Sequence, residues 1–213
     1  MTAIQVLLAD DHETVRQGLR LLIDGQPDMH VVQEVGDGVA AVQVVRQLQP
    51  TVVVLDVSMP HMNGLEAARE IRAAAPGTAI VALTRHSEGP YVQALLEAGA
   101  VGYVLKQSAS AELIAAIRAA AGGRRYLDSS LSDGSARPAA GARGPAKPRI
   151  SDREADVLRL MALGHSNKDI AQMLHIAVKT VEVHKANAMR KLGLQGRIDV
   201  VKYAALQGWL QEP

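Results

Sequence analysis

The sequence predicts two units in tandem, an α/β doubly wound five-stranded parallel sheet followed by a smaller all-α unit of four helices. Two observations carry the first unit: short Val/Ile/Leu-rich runs alternate with helical apolar periodicity, and four of those runs end on reactive polar residues. Parallel strands buried on both faces read as continuous apolar runs, and open α/β sheets gather their chemistry beyond the carboxyl ends of the strands. The second unit rests on a change of period, because beyond residue 150 only helical spacing remains.

The expected strands are Ile4 to Ala9, His30 to Val35, Thr51 to Leu55, Ala79 to Leu83 and Gly102 to Leu105, each short and apolar or β-branched. Helical patterns fill the gaps, at Glu13 to Ile23, Gly38 to Gln47, Leu65 to Ala74, Pro90 to Ala98 and Ala109 to Ala121. Gly25, Pro27, Pro50, Pro76-Gly77 and Gly99 supply stop signals at the helix ends. This first domain spans residues 1–121. From 122 to 149 the apolar period is replaced by Gly, Ala, Ser, Pro and Arg, as in SDGSARPAAGARGPAKPR, a composition expected of a flexible tether. The second domain, 150–213, contains helices expected at Asp152 to Leu163, Asn167 to Leu174, Val178 to Leu192 and Arg197 to Gln207.

A length of 213 residues is comfortable for two such domains. With no cysteine, neither disulfides nor thiolate metal sites are available. The first apolar run has no basic lead-in and is cut short by Asp10 and Asp11, and no stretch approaches the roughly 18 apolar residues of a membrane span. A cytoplasmic protein without membrane attachment is expected. The net charge of +1 conceals a gradient: residues 1–120 carry 8 Lys/Arg against 13 Asp/Glu, 121–149 carry 6 against 2, and 150–213 carry 9 against 7. An acidic front and a basic rear suggest that only the rear meets nucleic acid; the plainer reading is ordinary surface variation, which suffices for the +2 of residues 150–213 taken alone.

Strand-end residues Asp10, Asp11, Asp56, Thr84 and Lys106 are expected to converge. Three carboxylates at short range repel unless a cation is shared, and oxygen-only donors suit Mg²⁺ better than zinc. A mobile ammonium and a hydroxyl complete a set suited to a group with several anionic oxygens, most simply phosphoryl. Asp56 is then the candidate nucleophile, giving an acyl phosphate. Each residue also has a plainer reading. Asp10 and Asp11 can cap the first helix, Asp56 can close an Asx-turn before Pro60, Thr84 can be a β-branched strand residue, and Lys106 a solvated charge. Their joint recurrence at strand ends favours the shared site.

The segments VLLADDHETVRQGLRLLI, VVVLDVSMPHMNGLEA and VALTRHSEGPYVQALLEAGAVGYVLK closely resemble the receiver domain of bacterial two-component response regulators, over residues 4 to about 121. The resemblance implies a flavodoxin-like fold in which Asp56 accepts a phosphoryl group from a sensor histidine kinase. It further implies that Asp10, Asp11, Asp56 and the Ser58 backbone carbonyl bind Mg²⁺, that Thr84 and Lys106 contact the phosphoryl oxygens, and that Tyr103 is an aromatic switch. The plainer alternative for Tyr103 is a core-edge tyrosine with its hydroxyl in water. Three residues depart from the pattern: Arg85 after Thr84 can crowd the site or alter phosphoryl lifetime, Pro90 stiffens the fourth helix, and Gln107 stands where many receivers carry proline.

In the tail, GHSNKDIAQMLHIAVKTVEVHKANAMRKLG has helix-turn-helix spacing, with Ile170, Ala171, Leu174, Ile176, Val178, Val181 and Met189 locking two helices together. The second helix then offers Lys179, Thr180, Glu182, Val183, His184, Lys185 and Asn187 to the major groove, unless its charges are merely solvated. SDREADVLRLMALGHSNKDIAQML followed by KTVEVHKANAMRKLGL closely resembles the LuxR-type DNA-binding domain, over 150 to about 207. The pairing of the two domains resembles the NarL/FixJ class. That resemblance implies that Lys168, Lys179 and Thr180 touch phosphates of double-stranded promoter DNA, with Val183, His184 and Lys185 near base edges. Ala177 stands where Ser often caps the second helix, and Glu182 where some relatives are basic. The last helix, with Val200, Val201, Tyr203, Ala204, Leu206 and Trp209, either forms a homodimer or completes the core. The same resemblance leaves room for RNA polymerase as a further partner.

The expected function is therefore a phosphorylation-controlled transcription factor rather than an enzyme. The competing readings are a phosphatase or phosphotransferase using Asp56 in turnover, against which the tail argues, and a receiver serving only as an unphosphorylated dimerisation module.

Overall fold

A computed structural model describes residues 3–85, 89–108, 110–129 and 150–210. Two compact units are present, Met1–Ala136 and Arg137–Pro213. In the first, strands and helices alternate as β1 (Ile4–Ala9), α1 (Glu13–Asp24), β2 (Met29–Val35), α2 (Gly38–Leu48), β3 (Val52–Asp56), α3 (Gly64–Ala74), β4 (Ala79–Thr84), α4 (Gly89–Ala98), β5 (Gly102–Leu105) and α5 (Ser110–Ala121). A short β6 (Tyr126–Leu127) follows. All pairings are parallel and the strand order is β2-β1-β3-β4-β5-β6. The chain thus places β2 on one side of β1 and β3 on the other, which puts the topological switch point between β1 and β3.

β6 corrects the sequence reading twice. The sheet has six strands instead of five, and the stretch expected as a tether from residue 122 begins with an element of the first unit. Tyr126 and Leu127 pair with Gly102 and Tyr103. A two-residue strand between polar neighbours has no apolar run by which to be read. Residues 130–149, the rest of the expected tether, lie outside the described residues.

Alternation of side chains across the sheet builds two apolar layers. Val6, Leu8, Val52, Val54, Val81, Leu83 and Val104 form one buried cluster with Ile23 of α1 and Leu113, Ile114 and Ile117 of α5. Leu7, Val53, Leu55 and Ile80 are equally buried and, by alternation, belong to the opposite layer with α2, α3 and α4. Helix starts follow local chemistry: Asp37 caps α2 by accepting from the Ala40 N–H at 2.8 Å, and Asn63 and Glu66 form a capping box on α3.

The second unit holds α6 (Asp152–Ala162), α7 (Asn167–Leu174), α8 (Val178–Leu192) and α9 (Arg197–Leu206). Val157, Leu158, Ile170, Ala171, Val181, Ala188, Val200 and Tyr203 make its core. Ser151 and Ser166 begin α6 and α7 with capping boxes. The expected helices agree with these to within a residue. No helix among the described residues is long and apolar enough to cross a membrane.

Candidate functional site

Strand register brings the first set of residues together. Ala9 pairs with Leu55, so Asp10 stands level with Asp56, while Thr84 pairs with Leu105, one residue before Lys106. Asp10, Asp56 and Thr84 are 1%, 2% and 1% exposed, so these are buried polar groups that need partners. Lys106 Nζ lies 2.7 Å from Asp10 Oδ2 and 2.8 Å from Asp56 Oδ2, bridging the two carboxylates. Toward Asp56 it donates a hydrogen bond, whereas Asp10 Oδ2 receives the charge without hydrogen-bond geometry and has no donor among the described residues. Burial pushes the Asp56 carboxyl above the usual carboxylate range and Asp10 adds to this, while Lys106 and the Ser58 N–H pull it back.

Several plainer readings are thereby decided. Neither Asp10 nor Asp11 caps α1: its N-cap is His12, which makes no side-chain cap. Asp10 Oδ1 instead accepts from the His12 N–H at 2.9 Å. Asp56 does close an Asx-turn, its Oδ1 accepting from the Ser58 N–H at 3.2 Å, and this bond fixes the carboxylate plane without consuming Oδ2. Lys106 is held between two acids and is not a solvated charge. Tyr103 has no exposed surface, so it is not a core-edge tyrosine with its hydroxyl in water. Arg85 is exposed and lines a cleft of about 450 Å³ with Lys106, Gln107 and apolar residues of α1 and α5. Pro90 lies in α4, but its side chain is outside the described residues.

Three supporting residues escaped the sequence reading. His12 Nδ1 lies 2.6 Å from Asp11 Oδ1 and orients that exposed acid. Arg16 donates to the Asp10 backbone carbonyl at 2.6 Å and pins the end of β1. Gly64, which opens α3, is required by close approach: a Cβ there would stand 2.2 Å from the Asp56 carbonyl oxygen. The signals for His12 and Gly64 were their places in DDH and MNGLEA; Arg16 had none beyond its helix.

One ligand atom each from Asp10, Asp11, His12 and Asp56 can be chosen within 4.8 Å of one another. Three carboxylates and a buried Asp10 oxygen lacking a hydrogen-bond donor fit a hard divalent cation such as Mg²⁺.

In the second unit, α7 and α8 meet through a tight turn in which His175 takes the left-handed conformation (φ 54°). Lys168, Lys179, Thr180, Glu182 and Val183 are exposed, and His184, Lys185 and Asn187 half-buried. Lys179 pairs with Glu182 at 2.9 Å, and Asn187 accepts from Arg190 at 2.9 Å, so part of the face is tied up within the helix. Ala177 provides no side-chain cap for α8. Buried Glu154 receives Lys191 Nζ at 2.7 and 2.8 Å, tying the start of α6 to the end of α8. On α9, Val200, Tyr203 and Ala204 belong to the core and Tyr203 meets Trp209 edge-on at 5.7 Å, while Ile198 is 72% exposed.

A six-stranded parallel sheet with an acid–lysine cluster at its switch point, joined to a helix-turn-helix unit, defines a class, and the family comparisons agree with it. The response regulator receiver domain matches residues 6–118, and the luxR family of bacterial regulatory proteins matches residues 148–204. The chain belongs to the two-component response regulators that pair a receiver with a LuxR-type DNA-binding domain, the NarL/FixJ class. Within that class it is similar to the oxygen regulatory protein NreC. Identity to the Staphylococcus carnosus protein is 37% over 210 residues, covering 94% of this chain and 96% of that protein. The Staphylococcus aureus NreC is 38% identical over 210 residues with the same coverage. Among solved structures, RcsB of Salmonella enterica serovar Typhimurium, bound to the P1flhDC promoter in the presence of phosphomimetic BeF₃⁻, matches with a TM-score of 0.80 and 30% identity, over 97% of this chain and all of that one. A structure of two RcsB dimers bound to two parallel DNAs matches with a TM-score of 0.75 at 30% identity, covering 96% and 99%.

Proposed function

We propose that this response regulator takes a phosphoryl group on Asp56 from a sensor histidine kinase and thereby changes its binding to promoter DNA. The observation that carries this reading is Lys106 bridging the buried Asp10 and Asp56 at the ends of β5, β1 and β3. Asp56 supplies the oxygen that bonds to phosphorus as the P–N bond of a phosphohistidine breaks, the electron pair staying on the imidazole nitrogen. Asp10, Asp11, Asp56 and the Ser58 carbonyl would hold Mg²⁺, which supplies charge neutralisation for the carboxylates and the phosphoryl oxygens when bound. Lys106, already charged and desolvated, turns from the carboxylates to the new phosphoryl oxygens, and the Thr84 hydroxyl joins it. Tyr103 and α4 then report the change, biasing a two-state receiver.

Lys168, Lys179 and Thr180 hold DNA phosphates, and Val183, His184 and Lys185 lie near base edges with Glu182 and Asn187 alongside. Phosphate contacts fix register and groove contacts fix sequence. The exposed Ile198 face of α9 supports a homodimer, whose half-sites would be about 10 base pairs apart. Residues beyond β6 join the units, and Asp56 acts as an acceptor without dedicated turnover of substrates, in the cytoplasm. Titrating an operator with wild type and Asp56→Asn, each treated with acetyl phosphate and Mg²⁺, tests the reading. Tightened binding is expected for wild type alone. Equal affinities would favour a receiver that works unphosphorylated.

A further inference from the structure

Asp128 is a buried acid to which the chemistry above gives no role. It has no exposed surface and immediately follows β6. Its N–H donates to the Tyr103 carbonyl at 2.9 Å, and its Oδ2 accepts from the Leu105 N–H at 2.9 Å. The physical reason for a carboxylate is the shortness of β6. Backbone pairing with β5 ends at Tyr103 and Leu127, so the Leu105 N–H at this edge would have no strand carbonyl to meet. Asp128 replaces that carbonyl with a side-chain oxygen. The next residue is Lys106, whose own N–H donates to the Thr84 carbonyl at 2.7 Å on the other side of β5. The backbone at Leu105 and Lys106 is therefore held on both sides, by Asp128 just past β6 and by Thr84 at the end of β4, and the Lys106 ammonium reaches Asp10 and Asp56 from that fixed point.

β6 is itself clasped to α5. Glu112 accepts from the Tyr126 hydroxyl at 2.6 Å and from Ser129 Oγ at 2.9 Å. The grip on Leu105 thus depends on a segment that leaves the receiver toward the second unit in sequence.

We propose that Asp128 is a positioning residue for the phosphoryl pocket, acting through Lys106 by fixing the end of β5. The inference rests on the reading that Lys106 engages the incoming phosphoryl group. Its test is the rate of acyl-phosphate formation on the full chain with acetyl phosphate and Mg²⁺, followed by intact-protein mass. Asp128→Ala is expected to slow the reaction about tenfold, since misplacement of a positioned group by ~1 Å can cost up to about a hundredfold. Asp128→Asn keeps an oxygen that can accept from the Leu105 N–H and is expected to stay within about threefold of wild type. In a Lys106→Met background, Asp128→Ala should add less than about twofold, because two residues acting through one contact are not additive.

An unchanged rate for Asp128→Ala, or the same loss with and without Lys106, would overturn the proposal. If Asp128→Ala does not fold, Tyr126→Phe loosens the clasp on β6 and carries the same comparison. It should slow the wild-type chain and leave the Lys106→Met chain unchanged, and equal losses in both would overturn the proposal. A wild-type rate for Lys106→Met alone would instead refute the underlying reading of Lys106, a result distinct from multiplying losses.

Discussion

Replacing Lys106 by Met should destabilise the receiver in a way that Mg²⁺ repairs. The substitution keeps most of the side-chain stem and removes the cation that stands 2.7 Å from Asp10 and 2.8 Å from Asp56. Both acids are almost wholly buried, so the loss leaves two desolvated like charges facing each other. Breaking a buried pair by removing one partner costs about 3–5 kcal/mol. For a unit of this size that is a fall of roughly 10–20 °C in the unfolding midpoint. A cation bound at a hundred times its Kd returns about 2.7 kcal/mol, and the gain should exceed the one wild type shows, because Lys106 no longer competes for the carboxylates.

The pH dependence has a definite sign. Burial already raises the Asp56 pKa, and without Lys106 that rise is less opposed. A carboxyl with a raised native pKa weakens the fold as pH rises through the ordinary range toward the raised value, so the deficit of the variant should be small near pH 4 and grow toward pH 7. Calorimetry of the full chain in EDTA and in Mg²⁺ measures all of this, with the separate core of the C-terminal unit as internal reference. An unchanged midpoint in EDTA, or an identical deficit with and without Mg²⁺, would refute the reasoning.

Three further outcomes concern the helical unit. Glu154→Gln should cost about 1.5–3 kcal/mol at neutral pH, the range for charge-assisted hydrogen bonds. Burial raises the Glu154 pKa, but Lys191 and Ser151 more than offset it and leave it lowered; the wild-type advantage should therefore fade as pH falls below about 4.5 toward that lowered value, as acid unfolding curves will show. Ala177→Ser should stabilise the same unit by about 1 kcal/mol through the missing cap on α8, measured by urea unfolding. Lys179→Ala should weaken binding to all DNA sequences alike and reduce the slope of log K against log salt by about 1, provided that the Lys179–Glu182 pair gives way to a phosphate.

Legibility in the sequence followed the range of the forces involved. Parallel strands announced themselves as apolar runs, and the polar residues at their ends singled out Asp10, Asp56, Thr84 and Lys106 before any contact was known; of these, the structure joins Asp10 and Asp56 through Lys106. β6 could not, because Tyr126 and Leu127 are a strand only by virtue of the β5 edge beside them. Asp128 was hidden for the same reason: in RRYLDSS it reads as a surface acid, yet it is buried to satisfy one N–H 23 residues away. Arg16 carries no sequence signal beyond its helix, yet it pins the Asp10 carbonyl. In the tail, Glu154 was legible as part of a motif, whereas its grip on Lys191 depends on how α6 crosses α8.

The central claim is that Asp56 is the residue that takes the phosphoryl group. Incubating the full chain with acetyl phosphate and Mg²⁺, reducing the acyl phosphate with borohydride and mapping peptides by mass tests it at the level of a single side chain. Conversion of Asp56 to homoserine, absent when Mg²⁺ is chelated and absent in Asp56→Asn, is the predicted result. Homoserine at Asp10 or Asp11, or phosphate incorporation that persists in Asp56→Asn, would contradict the account.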